Sequence, residues 1–552
     1  MSNGFLQIIE NYEIDNLKYD LSAGFSVAAI ALPQNMAYAL IAGVAPIYGL
    51  YTSIVSMIVA VFVGRSSYMV VGPTNVMALA IASSLNFLGQ ENYLVGLFLL
   101  TLMVGVFQFL LGSLKLGKLV NYVPHSVTMG LVTGIALIIG IGQLNKLLGT
   151  GIENGDNIFY TLSNIAVNLN NINYYSLFIG LLTIIIIIGI QRYNNKLPSY
   201  LIAIMISMGL VYFFNLGEKL TVVESFSAGL PSFKLYNINL KILQKLIFPA
   251  FSTAFLGFIQ VLSIIDILEE KSGEELELSK EFKAQGIINI ICSFFQGFVI
   301  SGSYTNTFAN YEAGAKTRIS ELATAIFILI FVVFFSSFTT LIPITSLAAI
   351  VILVAYYMIE PRNIIKILKT SFFDRITFLS TFFLTILSPR LDYAVYLGLA
   401  ISLIMVIKNT SEVNYNHIKY NKNKNYFTKR KLNEVKEDDY IIIDISGSLY
   451  FNSVHNLYQK LKRSYKENQK YIIRMRDVND IDVSILKELT RFIDKVQQSN
   501  GEVLLSGVNK KLYSKLKKSG IIDKISNKNI YKENKKGIFE STKNAVKDIV
   551  AS

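Results

Sequence analysis

Two short stretches carry the residue types that could do chemistry. One is Val71-Gly72-Pro73-Thr74-Asn75, inside the apolar run "SSYMVVGPTNVMALAIASSL" (66–85). The other is Gly302-Ser303-Tyr304-Thr305-Asn306-Thr307, which follows "FVIS" (298–301). In both, β-branched residues lead to a glycine and then to small hydroxyl- or amide-bearing residues that suit a helix start. Such a start offers unpaired backbone N–H groups and roughly +0.5 elementary charge. The chemistry on offer is therefore the holding of an anion rather than the making of bonds. Both stretches lie in runs apolar enough for a bilayer, where non-helical backbone is tolerated only inside protein or against a polar cavity. Matching interruptions in two halves of a chain are the best sequence pointer to a mid-membrane binding site.

The elements that must position these residues are legible in the bulk composition. Of 552 residues 52% are hydrophobic and 16% charged, well below the roughly 25% charged of soluble domains. The charges are unevenly placed. Up to about Asn409 the chain is a series of apolar runs, many reaching the ~20 residues that cross a hydrocarbon core. After it Lys, Asn, Asp and Glu dominate, so one polytopic membrane domain precedes one soluble domain. Spans are expected near 21–44, 46–63, 73–88, 93–113, 125–148, 173–190 and 199–215. A second set falls near 247–268, 283–298, 304–314, 318–338, 343–359, 373–388 and 391–408. The third member of each set is short. Thr74 to Leu88 covers about 22 Å at ~1.5 Å per residue, less than the ~30 Å core. The run from Tyr304 ends sooner, at Gly314-Ala315-Lys316.

The formal charge of +13 sits largely in the tail and in short connections such as "KLGK" (115–118), "QRYNNK" (191–196) and "RNIIKILK" (362–369). That placement fits the positive-inside rule and not a nucleic-acid surface. With the N-terminus inside, Arg65, Lys115, Lys118, Arg192, Lys196, Lys316, Arg318, Arg362 and Lys408 become cytoplasmic, as does the tail. A single cysteine, Cys292, excludes an internal disulfide or a cysteine metal cluster. His125, His417 and His455 are too scattered for a metal site. Neither a metal nor an organic cofactor is expected. There is no nucleophile–base pairing or glycine-rich nucleotide loop, so an enzyme is not expected either. Residues 1–20 are polar and acidic, unlike a cleavable signal peptide.

Several blocks resemble the sulfate permease (SulP) family of anion transporters. They are "ALPQNMAYALIAGVAPIYGLYTSIV" (31–55), "RSSYMVVGPTNVMAL" (65–79) and "FKAQGIINIICSFFQGFVISGSYTNTFANYEAGAKTR" (282–318). The tail "IIIDISGSLYFN" with "DVNDIDVSILKELTRFID" (477–494) resembles the STAS domain shared with anti-sigma-factor antagonists. The resemblance implies fourteen transmembrane segments in two inverted repeats of seven, about 15–215 and 247–408. A core, made of segments 1–4 and 8–11, moves against a gate made of the rest. The implied layout is a transport domain over 1–408, a basic linker over 409–436 and a cytoplasmic α/β STAS domain over 437–552. It also implies a homodimer in the cell membrane, and an inorganic anion between the starts of segments 3 and 10.

Carried over by position, the anion-facing residues are Gln34 and Tyr38 on the first segment, Thr74 and Asn75 at the start of the third, and Ser303, Thr305, Asn306 and Thr307 at the start of the tenth. Gly72, Pro73 and Gly302 form the breaks. Gln34 and Tyr38 could equally be helix-packing groups, and Thr305 and Thr307 helix caps. Two positions depart from the family. Asn306 stands where many relatives have arginine, which tilts the pocket toward a monovalent anion or toward a cation that supplies the missing charge. Gln260 stands where many have a carboxylate, the natural partner of a coupling proton or sodium ion. Gln260 cannot titrate, so uniport or exchange is expected over symport. Asp266, six residues on, reads as an interfacial charge. The anion itself stays open among sulfate, bicarbonate, chloride, nitrate and small dicarboxylates.

In the tail, "YIIIDISGSLYF", "KYIIRMRDV" and "EVLLSGV" read as strands, and "SILKELTRFIDKVQQSN" as an amphipathic helix ended by Gly501. Val483 follows Asp482 where anti-sigma antagonists carry a phosphorylatable hydroxyl, and Ser484 reads as the helix N-cap. Two other functions compete. A nucleobase–cation symporter shares the seven-plus-seven plan, but needs carboxylates missing here and has no STAS tail. A non-transporting sensor or scaffold would not require a complete pocket.

Overall fold

The computed structural model describes residues 12–551 except 116–122, 153–157, 195–196, 225–228, 237–238, 389, 412, 422–425, 431–438 and 535–536. Lys118, Lys196 and the 431–436 part of the expected linker lie outside the described residues. The chain divides into two compact units, Met1–Ser402 and Leu403–Ser552.

The first unit is helical, because apolar runs of this length bury their backbone polar groups only by bonding them internally. Its first half holds α1 (Leu17–Ile41), α2 (Pro46–Val63), β1 (Val71–Gly72), α3 (Asn75–Leu85), α4 (Gln90–Ser113), α5 (His125–Gly142), α6 (Leu144–Leu148), α7 (Ile158–Val167), α8 (Tyr174–Tyr193) and α9 (Ser199–Phe213). Its second half holds α10 (Leu240–Ser272), α11 (Leu278–Phe294), β2 (Ser301–Gly302), α12 (Tyr304–Glu312), α13 (Ile319–Phe335), α14 (Ile344–Met358), α15 (Pro361–Thr370), α16 (Phe372–Leu387) and the first part of α17 (Leu391–Ser411), which runs on past Ser402.

A helix lies in each stretch expected to span. Among the described residues eight helical segments are long and apolar enough to cross a membrane unaided. The two interrupted segments are shorter, 11 residues for α3 and 9 for α12. Departures from expectation have local causes. Helix α1 starts four residues before position 21, because the buried carboxylate of Asp20 accepts the backbone N–H of Lys316 and Thr317 at 2.7 and 3.0 Å. Helix α10 runs on past its apolar stretch to a left-handed Gly273 cap. Helices α7 and α15 lie outside the expected spans. Both have ten residues, half of what a search for spans of ~20 residues looks for, and α15 is amphipathic as well. Close packing depends on small residues: a Cβ on Gly286 of α11 would sit 2.4 Å from the backbone nitrogen of Phe109 on α4.

The second unit is α/β. It contains β3 (Asn414–Asn421), β4 (Tyr426–Arg430), β5 (Tyr440–Leu449), α18 (Val454–Ser464), β6 (Lys470–Arg474), β7 (Val478–Ile481), α19 (Val483–Gln498), β8 (Glu502–Val508), α20 (Lys510–Lys518), α21 (Ile521–Ile525), β9 (Ile530–Lys532) and α22 (Glu540–Ala551). The sheet order is β4-β3-β5-β6-β8-β9, with β7 also pairing with β5. Strands β5, β6, β8 and β9 run parallel, and β3 and β4 add antiparallel at one edge. The continuous "IIID" run is explained by burial on both faces. Ile441 and Ile443 pack with α18, α19 and α20, whereas Ile442 packs with Ile472, Leu504 and the α22 residues Val546 and Ile549.

Two expectations are corrected here. Residues 414–421 and 426–430, expected as solvated linker, are strands of this sheet. Their period-2 apolar positions (Tyr415 toward one face, Ile418, Tyr420 and Phe427 toward the other) are diluted by Asn and Lys. The N-cap of α19 is Asp482, whose Oδ1 accepts the Ile485 N–H at 2.9 Å, and the exposed Ser484 sits inside the first turn. Asp482→Ala is therefore expected to lower the stability of this unit by about 1 kcal/mol, while Ser484→Ala stays within roughly 0.5 kcal/mol. Urea unfolding of the two variants reads the difference.

A buried histidine sets the pH response of this unit. His417 on β3 shares a 3.0 Å hydrogen bond with Ser464 through Nε2, and its Nδ1 has no partner among the described residues. Burial, then the positive charge of Lys466, pulls its pKa below the ordinary 6.5. As pH falls through that ordinary value the unfolded chain takes the proton first, so the unfolded state binds more protons and stability drops. Thermal melts are expected to shift downward between pH 7.5 and 5.5, and His417→Gln to lose part of that slope.

Candidate functional site

The two interrupted segments meet. Strand β1 pairs antiparallel with β2, Val71 opposite Gly302 and Gly72 opposite Ser301. Because the ladder is two residues long and antiparallel, α3 and α12 leave it from opposite ends, each starting within three residues of it. Thr74 caps α3, its Oγ1 accepting the Met77 N–H at 3.3 Å. Ser303 caps α12, its Oγ accepting the Asn306 N–H at 3.4 Å. The Val76 amide is taken by Asn75 Oδ1 at 2.8 Å. Of the first-turn amides, which have no partner on a preceding turn, those of Asn75, Tyr304 and Thr305 remain without one among the described residues.

Buried side chains hold this non-helical crossing in place. The Val71 N–H donates to Glu321 Oε1 at 2.8 Å and the Val70 N–H to Thr307 Oγ1 at 3.0 Å. Asn289 accepts the Ile300 N–H at 2.8 Å and donates to the Ile300 carbonyl and to Gln108. Thr52 Oγ1 accepts the Phe298 N–H at 3.0 Å, and Asn310 donates to the Tyr68 carbonyl at 3.0 Å. Apart from the Asn289–Gln108 bond, which joins two side chains, each satisfies a backbone group that helix geometry would otherwise have satisfied, as an apolar interior demands. Apart from Thr307, which it placed facing the anion, sequence reading missed these side chains. The available signal was a polar side chain in an otherwise apolar run, as at Thr52, Gln108, Asn289 and Glu321.

The expected site residues separate into groups. Helix α1 packs on both α3 and α12. On it Gln34 is fully buried, and neither its Oε1 nor its Nε2 has a partner among the described residues. Tyr38, one turn on, is buried in the same apolar cluster as Val76 and Met77 of α3. Gln260 of α10 reaches the capping position, its Oε1 accepting from Thr74 Oγ1 at 3.4 Å. Asn306 is 1% exposed with Oδ1 unpartnered among the described residues, and Thr305 is half-buried. Two side chains are otherwise engaged. The Thr307 hydroxyl is bonded to Val70, and the Asn75 amide to Val76 and Met358. Asp266 is exposed, in keeping with an interfacial charge. Chemically, the crossing assembles backbone amides, hydroxyls and neutral amide side chains, with the Glu321 carboxyl engaged by the Val71 N–H and no carboxylate on α10 at position 260. Among the described residues no group of three His, Cys, Asp or Glu could hold a metal ion.

The same order of elements occurs in known proteins. Residues 17–381 match the sulfate permease family, and residues 431–537 match the STAS domain. YvdB of Bacillus subtilis is 27% identical over 527 residues, covering 95% of this chain and 97% of its own. Sulfate transporter 4.1, chloroplastic, of Arabidopsis thaliana is 25% identical, covering 92% of this chain and 77% of its own. Among solved structures, the murine Slc26a9 anion transporter in its inward-facing state superposes with a TM-score of 0.89, covering 99% of this chain and 94% of its own at 21% identity. The transmembrane domain of the cyanobacterial bicarbonate transporter BicA superposes with a TM-score of 0.61, covering 71% of this chain and 98% of its own at 25% identity. The chain belongs to the sulfate permease family and carries a STAS domain toward its C-terminal end.

Proposed function

We propose that this protein moves a small inorganic anion across the membrane by alternating access, a core carrying the crossing of β1 and β2 moving against a gate. In this reading residues 1–408 form fourteen transmembrane segments in two inverted repeats of seven. The N-terminus and the STAS domain face the cytoplasm, and two copies assemble as a homodimer. One observation carries the reading. Two capped helix starts are joined by a two-residue ladder, beside a helix whose buried Gln34 has no partner for either polar atom among the described residues. An anion is the guest that such donors suit, since two helix starts supply about +1 together without burying a lysine. The anion's donors are the first amides of α3 and α12, the hydroxyls of Thr74, Ser303 and Thr305, and the side-chain amides of Gln34 and Asn306. Tyr38 forms a wall.

That sum compensates a monovalent anion fully and sulfate only by half. With Gln260 neutral, the transport is uniport or exchange. A nucleobase–cation symporter has no support in the pocket, because the carboxylate it needs is absent from position 260. The test is flux in proteoliposomes across sulfate, bicarbonate, chloride and nitrate, with and without an imposed sodium or proton gradient. Saturable flux of one of these, insensitive to either gradient, is expected. Flux of none of them rejects transport, and steep gradient dependence rejects the uncoupled mode.

A further inference from the structure

Helix α15 takes no part in the crossing, yet it is the most sharply two-faced helix of the first unit. At ~100° per residue, Arg362, Lys366 and Lys369 fall within an arc of about 60°; Ile364, Ile367 and Leu368 occupy the opposite side, and Ile365 flanks the cations next to Lys369. All three cations are exposed, and among the described residues none has an ion-pair partner. No residue of the helix is fully buried: Ile364, Ile367 and Leu368 are partly covered, and Ile365 is exposed beside the cations. It is held to α16 by backbone, with Arg375 Nε donating to the Leu368 carbonyl at 2.8 Å. Next to it the apolar surface continues outward: Ile365 is 50% exposed, Phe372 66% and Ile376 48%. Residues 361–375 carry four cations and one acid, Asp374.

We propose that α15 and the start of α16 form a surface that binds the anionic phospholipids of the leaflet on that side. The apolar side and Phe372 sit at the level where acyl chains meet headgroups, and Arg362, Lys366 and Lys369 collect phosphate-bearing headgroups of net negative charge. A helix short of spanning length, apolar on one side and cationic on the other, is stable in that plane because each side meets its own solvent. Zwitterionic lipid satisfies the apolar side alone. The three unpaired cations within one narrow arc select for net negative charge, and each near-surface cation adds to the attraction. Helix α15 begins three residues after Met358, which contacts the Asn75 side chain at the start of α3. The surface therefore adjoins the crossing along the chain. The inference rests on the membrane setting of this unit and not on transport.

The chain contains no tryptophan, so Ile365→Trp places a single fluorescent reporter in the full-length protein. It is reconstituted in vesicles of equal phosphatidylglycerol and phosphatidylcholine, with one or the other lipid brominated on its chains. Quenching by brominated phosphatidylglycerol is expected to exceed quenching by brominated phosphatidylcholine at least twofold. The ratio should fall toward one in the R362Q/K366Q/K369Q background and in high salt, where surface charge is screened. Equal quenching in the parent, no quenching by either lipid, or a preference that survives the triple substitution overturns the proposal. Phe372→Trp reports from the same surface if the first variant does not fold. Because the readout needs no flux, a protein that transports nothing can still bind these lipids here, and the reverse.

Discussion

Gln34→Glu is expected to bring anion flux to background while leaving a folded, monodisperse protein. The two side chains have the same shape, so packing around α1 is kept, and Gln34 is fully buried with no partner to lose among the described residues. What changes is sign. An ionised carboxylate beside the helix starts would take the place of the anion and repel any other. Two like charges about 4 Å apart interact by roughly 4 kcal/mol at an effective dielectric near 20, which is about a thousandfold in affinity. Gln34→Leu removes a donor without adding a charge. A hydrogen bond to a charged group contributes about 1.5–3 kcal/mol, so the half-saturating concentration should rise about 10- to 100-fold. Flux at graded anion concentrations separates the two variants. Normal flux by the glutamate variant would remove Gln34 from the pocket.

Gly49→Ala carries the second large effect, this time through the backbone. A Cβ at Gly49 of α2 would stand 2.0 Å from the carbonyl oxygen of Asn35 and 2.7 Å from its carbon. A peptide group cannot rotate aside as a side chain end can, so α1 and α2 must separate. Overpacking of this kind costs about 1–3 kcal/mol, and the bond from Asn35 Nδ2 to Ser53 joins the same two helices. The displaced residue adjoins Gln34, so the shift is delivered to the pocket. A lower melting temperature and a flux reduction of roughly 10-fold or more are expected together. Gly189→Ala is the control, because nothing lies within 4 Å of its Cβ position. It should stay within about 0.5 kcal/mol of the parent. A melting temperature for Gly49→Ala equal to that control would show that the helices separate at no cost.

Much of this was readable from residue order alone. The apolar runs located the helices of the first unit, since a run of that length has no other way to satisfy its backbone in an apolar surrounding. The glycine followed by hydroxyl residues located both helix starts, because a cap is a local arrangement of four residues. The parallel strands of the second unit were visible as short, unbroken apolar runs. Where signals were weak or two-faced, reading stopped short. Amphipathic α15 passed as a basic connection, and β3 and β4 passed as linker, because their apolar positions alternate with Asn, Lys and Arg.

What residue order alone determined is that two helix starts exist and which groups they present. That Val71 lies opposite Gly302, some 230 positions away, was decided only by the tertiary structure. So was the division of labour among the polar residues: Thr307 and Asn75 are spent inside the protein, and Gln34 is left without a partner among the described residues. The reason is physical. A cap is closed by neighbours within one turn, whereas whether a buried amide or hydroxyl is free depends on which distant backbone group folding brings to it.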